Sequence, residues 1–123
     1  MDNTIKSYFM DKKVNDLFIY FEKVIKKGYE KYNGLSKFFD KEYETDCSIE
    51  AQSVRKGLRV IVDCYKNAMM FYGTVGTSSS NSYVDIIMIE MGEIQKILRE
   101  QANLVISNLE NIKGGDLIKT LIT

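Results

Sequence analysis

Between Thr4 and Tyr43 the residues Met10, Val14, Leu17, Phe18, Phe21, Val24, Ile25, Gly28, Tyr32, Leu35, Phe39 and Tyr43 recur at helical spacing and fall on one side of a single helix. No proline interrupts the chain anywhere, and glycine occurs mainly where helices can turn or stop. A chain patterned in this way folds into long helices. The stripe keeps its phase across Asn33-Gly34 and leaves Gly34 on the outward side, so the spacing predicts one helix that passes through this point with at most a gentle bend. A helix split at Gly34 is the alternative. If it is continuous from Met10 to Tyr43, it is about 51 Å long at the helical rise per residue.

The segment from Glu42 to Ser48 offers Thr45, Asp46 and Ser48 as N-caps, with Glu50 in the following first turn. A second helix from about Ser48 to Tyr72 places Val54, Gly57, Leu58, Ile61, Cys64, Tyr65, Ala68 and Tyr72 on one face, and Val60, Val62, Met69 and Phe71 widen it. An apolar arc that broad touches two neighbours. Gly73 to Ser82 reads as a connector, closed by Ser82 and Asp85 in the manner of a capping box. From Val84 to Ile112 the spacing tightens to a heptad: Val84, Met91, Leu98, Val105 and Ile112 form one seam, and Ile87, Ile94, Gln101 and Asn108 the other. Gln101 and Asn108 either fix register inside that seam or lie at its wet margin. Gly114-Gly115 ends the helix, and Asp116 to Ile122 forms a short amphipathic helical turn. Short connections force antiparallel neighbours, so the expected fold is all-α: a single domain, residues 1–123, built as an up-down-up bundle of three long helices.

Composition narrows the function. Lysine plus arginine and aspartate plus glutamate each total 17, and this neutrality argues against a nucleic-acid binder, which needs a basic surplus facing phosphate. With two cysteines and no secretory signal at the start, the expected setting is the cytoplasm, with leaderless export as the other route. No apolar run approaches the roughly 20 residues of a membrane span. Histidine is absent, which removes the commonest general base and metal ligand together with the Ser-His and Cys-His constellations. No catalytic residue, cofactor or metal is therefore expected.

The remaining chemical candidates each have a plainer reading. Cys47 lies near a helix N-terminus but has no partner base in the sequence. Asp40, Glu42, Glu44, Asp46 and Glu50 crowd one stretch, yet the mid-loop glycine of a calcium loop is missing and Ala51 stands at the twelfth position. Gly73 to Gly76 lacks the closing Gly-Lys-Ser/Thr of a nucleotide loop. Lys12, Lys23, Lys26, Lys27, Lys37 and Lys41 are interrupted by Asp16, Glu22, Glu30 and Asp40, as on a solvated face.

The apolar residues that do not fit the stripes are more informative. Of the 14 aromatic residues, 10 lie before residue 44, with Tyr20, Phe38 and Tyr29 on the flanks of the first stripe and Ile5, Tyr8 and Phe9 nearly opposite it. An up-down-up bundle brings Ile5, Tyr8 and Phe9 to the same end as Met69, Met70, Phe71, Tyr72, Tyr83, Ile86, Met88 and Ile89. These are the expected partner-binding residues, unless the N-terminal arm folds over the tip and closes the core. Burying four such side chains contributes about 6 to 12 kcal/mol before the cost of association. Methionine makes a surface of this kind adaptable. The expected function is a non-enzymatic helical interaction module that binds another protein or a second copy of itself. An immunity or inhibitor protein that neutralises a bacterial toxin is the alternative, on size and architecture.

Phe71-Tyr72-Gly73, read as a turn between two helices, resembles the WXG-type helical hairpins that specialised bacterial secretion systems export or use as targeting partners. The likeness covers about Ser48 to Ile112. It implies a helical partner of such a system. Phe71 stands where that family has tryptophan, and no tyrosine is followed four residues later by an acid.

Overall fold

The computed structural model describes the backbone of residues 3–75 and 83–123 and the side chains of residues 16, 19–71 and 88–123. Four helices follow one another, α1 (Asn3–Glu42), α2 (Ile49–Val75), α3 (Tyr83–Leu109) and α4 (Gly115–Ile122), and no strand occurs among the described residues. α2 packs against both α1 and α3, and α4 packs against α3. This is the all-α bundle of three long helices that the periodicity predicts, completed by the short C-terminal helix. The connector residues 76–82, including the Ser82 cap, lie outside the described residues.

α1 runs unbroken through Gly34, so the split-helix alternative does not apply. Gly34 is exposed, and a methyl group there would meet nothing. Phe21, Ile25, Leu35 and Phe39 of the stripe are buried, as expected. Val24 is not: Ile25 takes the core-facing position one residue on, and Val24 is left exposed. Gly28 serves contact with α2, because any side chain there would overlap the ring of Tyr65.

The corner between α1 and α2 is built from local polar chemistry. Ser48 Oγ accepts the backbone N–H of Ala51 at 3.1 Å, which makes Ser48 the N-cap of α2. Asp46 Oδ1 accepts the N–H of Ser48 at 2.9 Å and braces the cap. Those bonds from Ser48 hold the Asp46 carboxyl below its ordinary range, so the brace persists above that range and is lost as acid protonates it. Arg55 on α2 reaches back across the corner, donating from Nη2 to the carbonyl of Tyr43 at 2.9 Å, with Nε 3.4 Å from Asp40 Oδ1. Its guanidinium lies over Phe39, whose ring stacks on Tyr43 at 4.6 Å. Tyr43 in turn donates its hydroxyl to the carbonyl of Lys113 at 2.9 Å, so one corner ties α1, α2 and the α3–α4 turn together.

α2 presents Ala51, Val54, Leu58, Ile61 and Ala68 to the interior, all essentially removed from solvent. At Gly57 a methyl group would sit 2.5 Å from Val105 Cγ2, so glycine sets the close approach of α2 and α3. α3 buries Met91, Val105 and Leu109, while Ile94 and Leu98 are partly buried. Leu109, not Asn108, takes the inward place, because the burial follows the relaxed helical period where the heptad reading required a tighter one. Asn108 lies at the margin and donates its amide to the carbonyl of Leu104 at 2.9 Å. α3 ends at Leu109, before the expected Ile112, which is nonetheless buried in the turn. Gly114 adopts φ +80°, and Gly115 is pressed against the Leu109 carbonyl, so the chain turns tightly and α4 delivers Ile118 and Ile122 to the core.

Alanine at the two glycines of α1 is expected to have opposite effects. Gly34→Ala fills an open, exposed helix position and stabilises by about 0.5–1 kcal/mol. Gly28→Ala displaces the Tyr65 ring and destabilises. Thermal unfolding followed by circular dichroism checks the pair, and the reverse order contradicts this account of α1.

Candidate functional site

The described members of the expected partner surface divide into two groups. Met69 and Phe71 are half-buried and pack against Phe21, Ile25, Ala68 and Met91, so they belong in part to the core. Met70, Met88 and Ile89 are exposed, at 65%, 53% and 64%. The side chains of Ile5, Tyr8, Phe9, Tyr72, Tyr83 and Ile86 lie outside the described residues. At about 100° per residue, Met70 stands roughly 200° from Ala68, and Ile89 is rotated by the same amount from Met91. Both therefore point away from the core, on the backs of α2 and α3, while Met88 stands nearer the inward face. Among the described residues, the exposed side chains here are spread over different faces of α2 and α3 and do not form one flat patch.

A second feature was not singled out in the sequence. A cleft of about 520 Å³ lies between α2 and α3. Val60, Cys64, Ala68 and Phe71 of α2 and Ile94 and Ile97 of α3 supply its apolar lining, with Asn67 beside them and Asp63 and Glu90 contributed by opposite helices. The spacing explains it: Val60, Cys64, Asn67 and Phe71 form one flank of α2, and Glu90, Ile94 and Ile97 one flank of α3. Their sequence signal is a second row on α3, running beside the core row from Ile94 through Ile97 to Leu104, the last two 41% and 51% exposed.

The cleft's ionisable groups differ in setting. Asp63 and Glu90 are exposed and form no ion pair among the described residues. Cys64 is half-buried, and burial pushes its thiol above the ordinary value. Behind it Tyr65 stacks on Tyr32 with ring centres 5.8 Å apart. Burial raises both phenols, and Tyr65 is raised further by Tyr32 and Cys64. Burial thus favours the neutral form of all three groups.

The other chemical candidates of the sequence have structural surroundings of their own. Cys47 is exposed, and its carbonyl accepts the Gln52 amide at 2.9 Å. Asp40 faces Arg55 and Arg59, and Asp46 holds the α2 cap. No group of histidine, cysteine, aspartate or glutamate among the described residues is arranged to hold a metal ion. Lys23, Lys26, Lys27, Lys37 and Lys41 are exposed along α1. Phe71 to Gly73 lies within α2, which continues to Val75, so this segment is not the turn that its sequence suggested.

The fold and surface together define an all-α bundle with exposed apolar residues at both ends and a cleft between two of its helices. Compared with known protein families, curated proteins and solved structures, the chain matches none. Among the described residues no helix is long and apolar enough to cross a membrane.

The buried phenols and thiol set a direction for stability at alkaline pH. As pH rises through the ordinary range of phenols, about 10, the unfolded chain releases these protons before the folded chain does, so stability falls. Phenolate absorbance should show a late-titrating component that shrinks in Tyr32→Phe and Tyr65→Phe. A single unshifted titration contradicts the packing of the Tyr32 and Tyr65 rings.

Proposed function

We propose that this chain is a non-enzymatic helical interaction module that engages another protein, or a second copy of itself, through the exposed apolar residues where α2 ends and α3 begins. The observation that carries the reading is the exposure of Met70, Met88 and Ile89 beside a core held by Phe21, Ile25, Ala68 and Met91. Large exposed apolar side chains close together mark a surface suited to burial against a partner, and Ile49, Leu117 and Leu121 form a second exposed apolar group at the opposite end. The adaptable thioethers of Met70 and Met88 suit a partner surface of irregular shape. Binding alone is the mechanism.

The two other readings draw less support. A toxin-neutralising protein aimed at an enzyme of nucleic acids calls for a strongly acidic face. Here the arginines at Asp40 offset part of the acidic stretch. The secretion-partner reading rests on a turn at Phe71 to Gly73, and those residues are helical.

Photo-crosslinking in the source cell tests the proposal. Benzoyl-phenylalanine in place of Met70 or Ile89 should give one discrete adduct, with another protein or with the chain itself, and the same group in place of exposed Lys56 should not. Adding Met70→Glu to the Ile89 probe is expected to weaken the adduct about tenfold or more, the loss of one buried aliphatic side chain, while helicity is kept. No adduct at either position, or equal adducts from position 56, overturns the reading.

A further inference from the structure

We infer that the cleft between α2 and α3 is a binding site for a lipophilic organic cation. Its volume of about 520 Å³ is that of a small-molecule site. Hydrocarbon from Val60, Ile94 and Ile97 and the ring of Phe71 supply the walls. Among the described residues the charged groups of the lining are both acids, Asp63 on α2 and Glu90 on α3, with no lysine or arginine beside them in the lining.

Carboxylates beside an apolar wall concentrate cations and repel anions of the same size. Asn67 adds an amide to the lining, whose carbonyl is a group that a cation can use. The neutral thiol of Cys64 adds no opposing charge and occupies the same lining. The cleft extends about 16 Å along α2 from Val60 to Phe71, and its lining on α3 ends at Ile97. Those dimensions suit a compact molecule of a few rings better than a partner helix. Met70 and Ile89 are not among the residues that line the cleft, although Met70 shares a face of α2 with Asp63, so this site and the proposed protein contact are adjacent.

The test uses two ions of nearly equal size and opposite charge, tetraphenylphosphonium and tetraphenylborate. In Cys47→Ser, Cys64 is the remaining thiol of the two, and its alkylation by bromobimane reports on the cleft. Tetraphenylphosphonium should bind with 1:1 stoichiometry by calorimetry and slow alkylation of Cys64, with tetraphenylborate at least about tenfold weaker. Exchanging both exposed acids, Asp63→Asn with Glu90→Gln, should weaken tetraphenylphosphonium about tenfold and spare tetraphenylborate, with melting temperature unchanged. The inference is overturned if the two ions bind alike, if tetraphenylphosphonium fails to bind, or if it binds without protecting Cys64. Protection of Cys64 that grows with protein concentration in the absence of either ion overturns it too, because a second copy then covers the cleft.

Discussion

The architecture depends on how closely α2 can approach its two neighbours. Along its inward face, alanine or glycine occurs at Ala51, Gly57 and Ala68, and Gly28 opposite Tyr65 does the same for α1. Interaxial distance follows the size of the side chains at the contact, so α2 sits tightly against both partners. α1 and α3 meet across larger groups, with Phe21, Ile25 and Met91 gathered over Ala68. The central helix is thus fixed by small residues, and the outer two by the bulk between them.

That asymmetry accounts for where the surface is left unfinished. With one side of the α2/α3 pair occupied by α1, the flank bearing Val60, Cys64, Ile94 and Ile97 has no helix over it among the described residues, and a cleft remains. At the opposite end, the Arg55, Tyr43 and Phe39 corner and the α3–α4 turn close the lower core around Val54, Leu58, Val105 and Ile118. One end is secured by caps, stacking and a cross-chain hydrogen bond, though Ile49, Leu117 and Leu121 stay exposed on its surface. At the other, Met70, Met88 and Ile89 are exposed.

Much of this was legible in the sequence because helical periodicity reports burial directly. The α1 stripe, the continuity through Gly34, the Ser48 cap and the broad face of α2 all follow from spacing and capping chemistry. The seam of α3 was legible only in part: a tight heptad and a relaxed helical period diverge slowly, so Asn108 and Leu109 exchange places only near the end of the helix. The cleft was legible only as a second apolar row on α3, which does not say whether the flank beside it is open. Cys64 on the apolar face of α2 and Val60 on its margin look the same in sequence whether they are buried or line an open flank, and only the placement of α1 decides between these. The Arg55 corner is likewise tertiary, since its partners Asp40 and Tyr43 stand on another helix and at its exit.

The central claim is that α2 is gripped on two sides through glycine contacts, and proton NMR reads both contacts at once. Nuclear Overhauser effects should connect the Tyr65 ring to the α protons of Gly28, with an upfield ring-current shift of those protons, and the Val105 methyls to the α protons of Gly57. Random-coil shifts at Gly28, or the absence of either set of cross-peaks in the folded protein, would contradict the account.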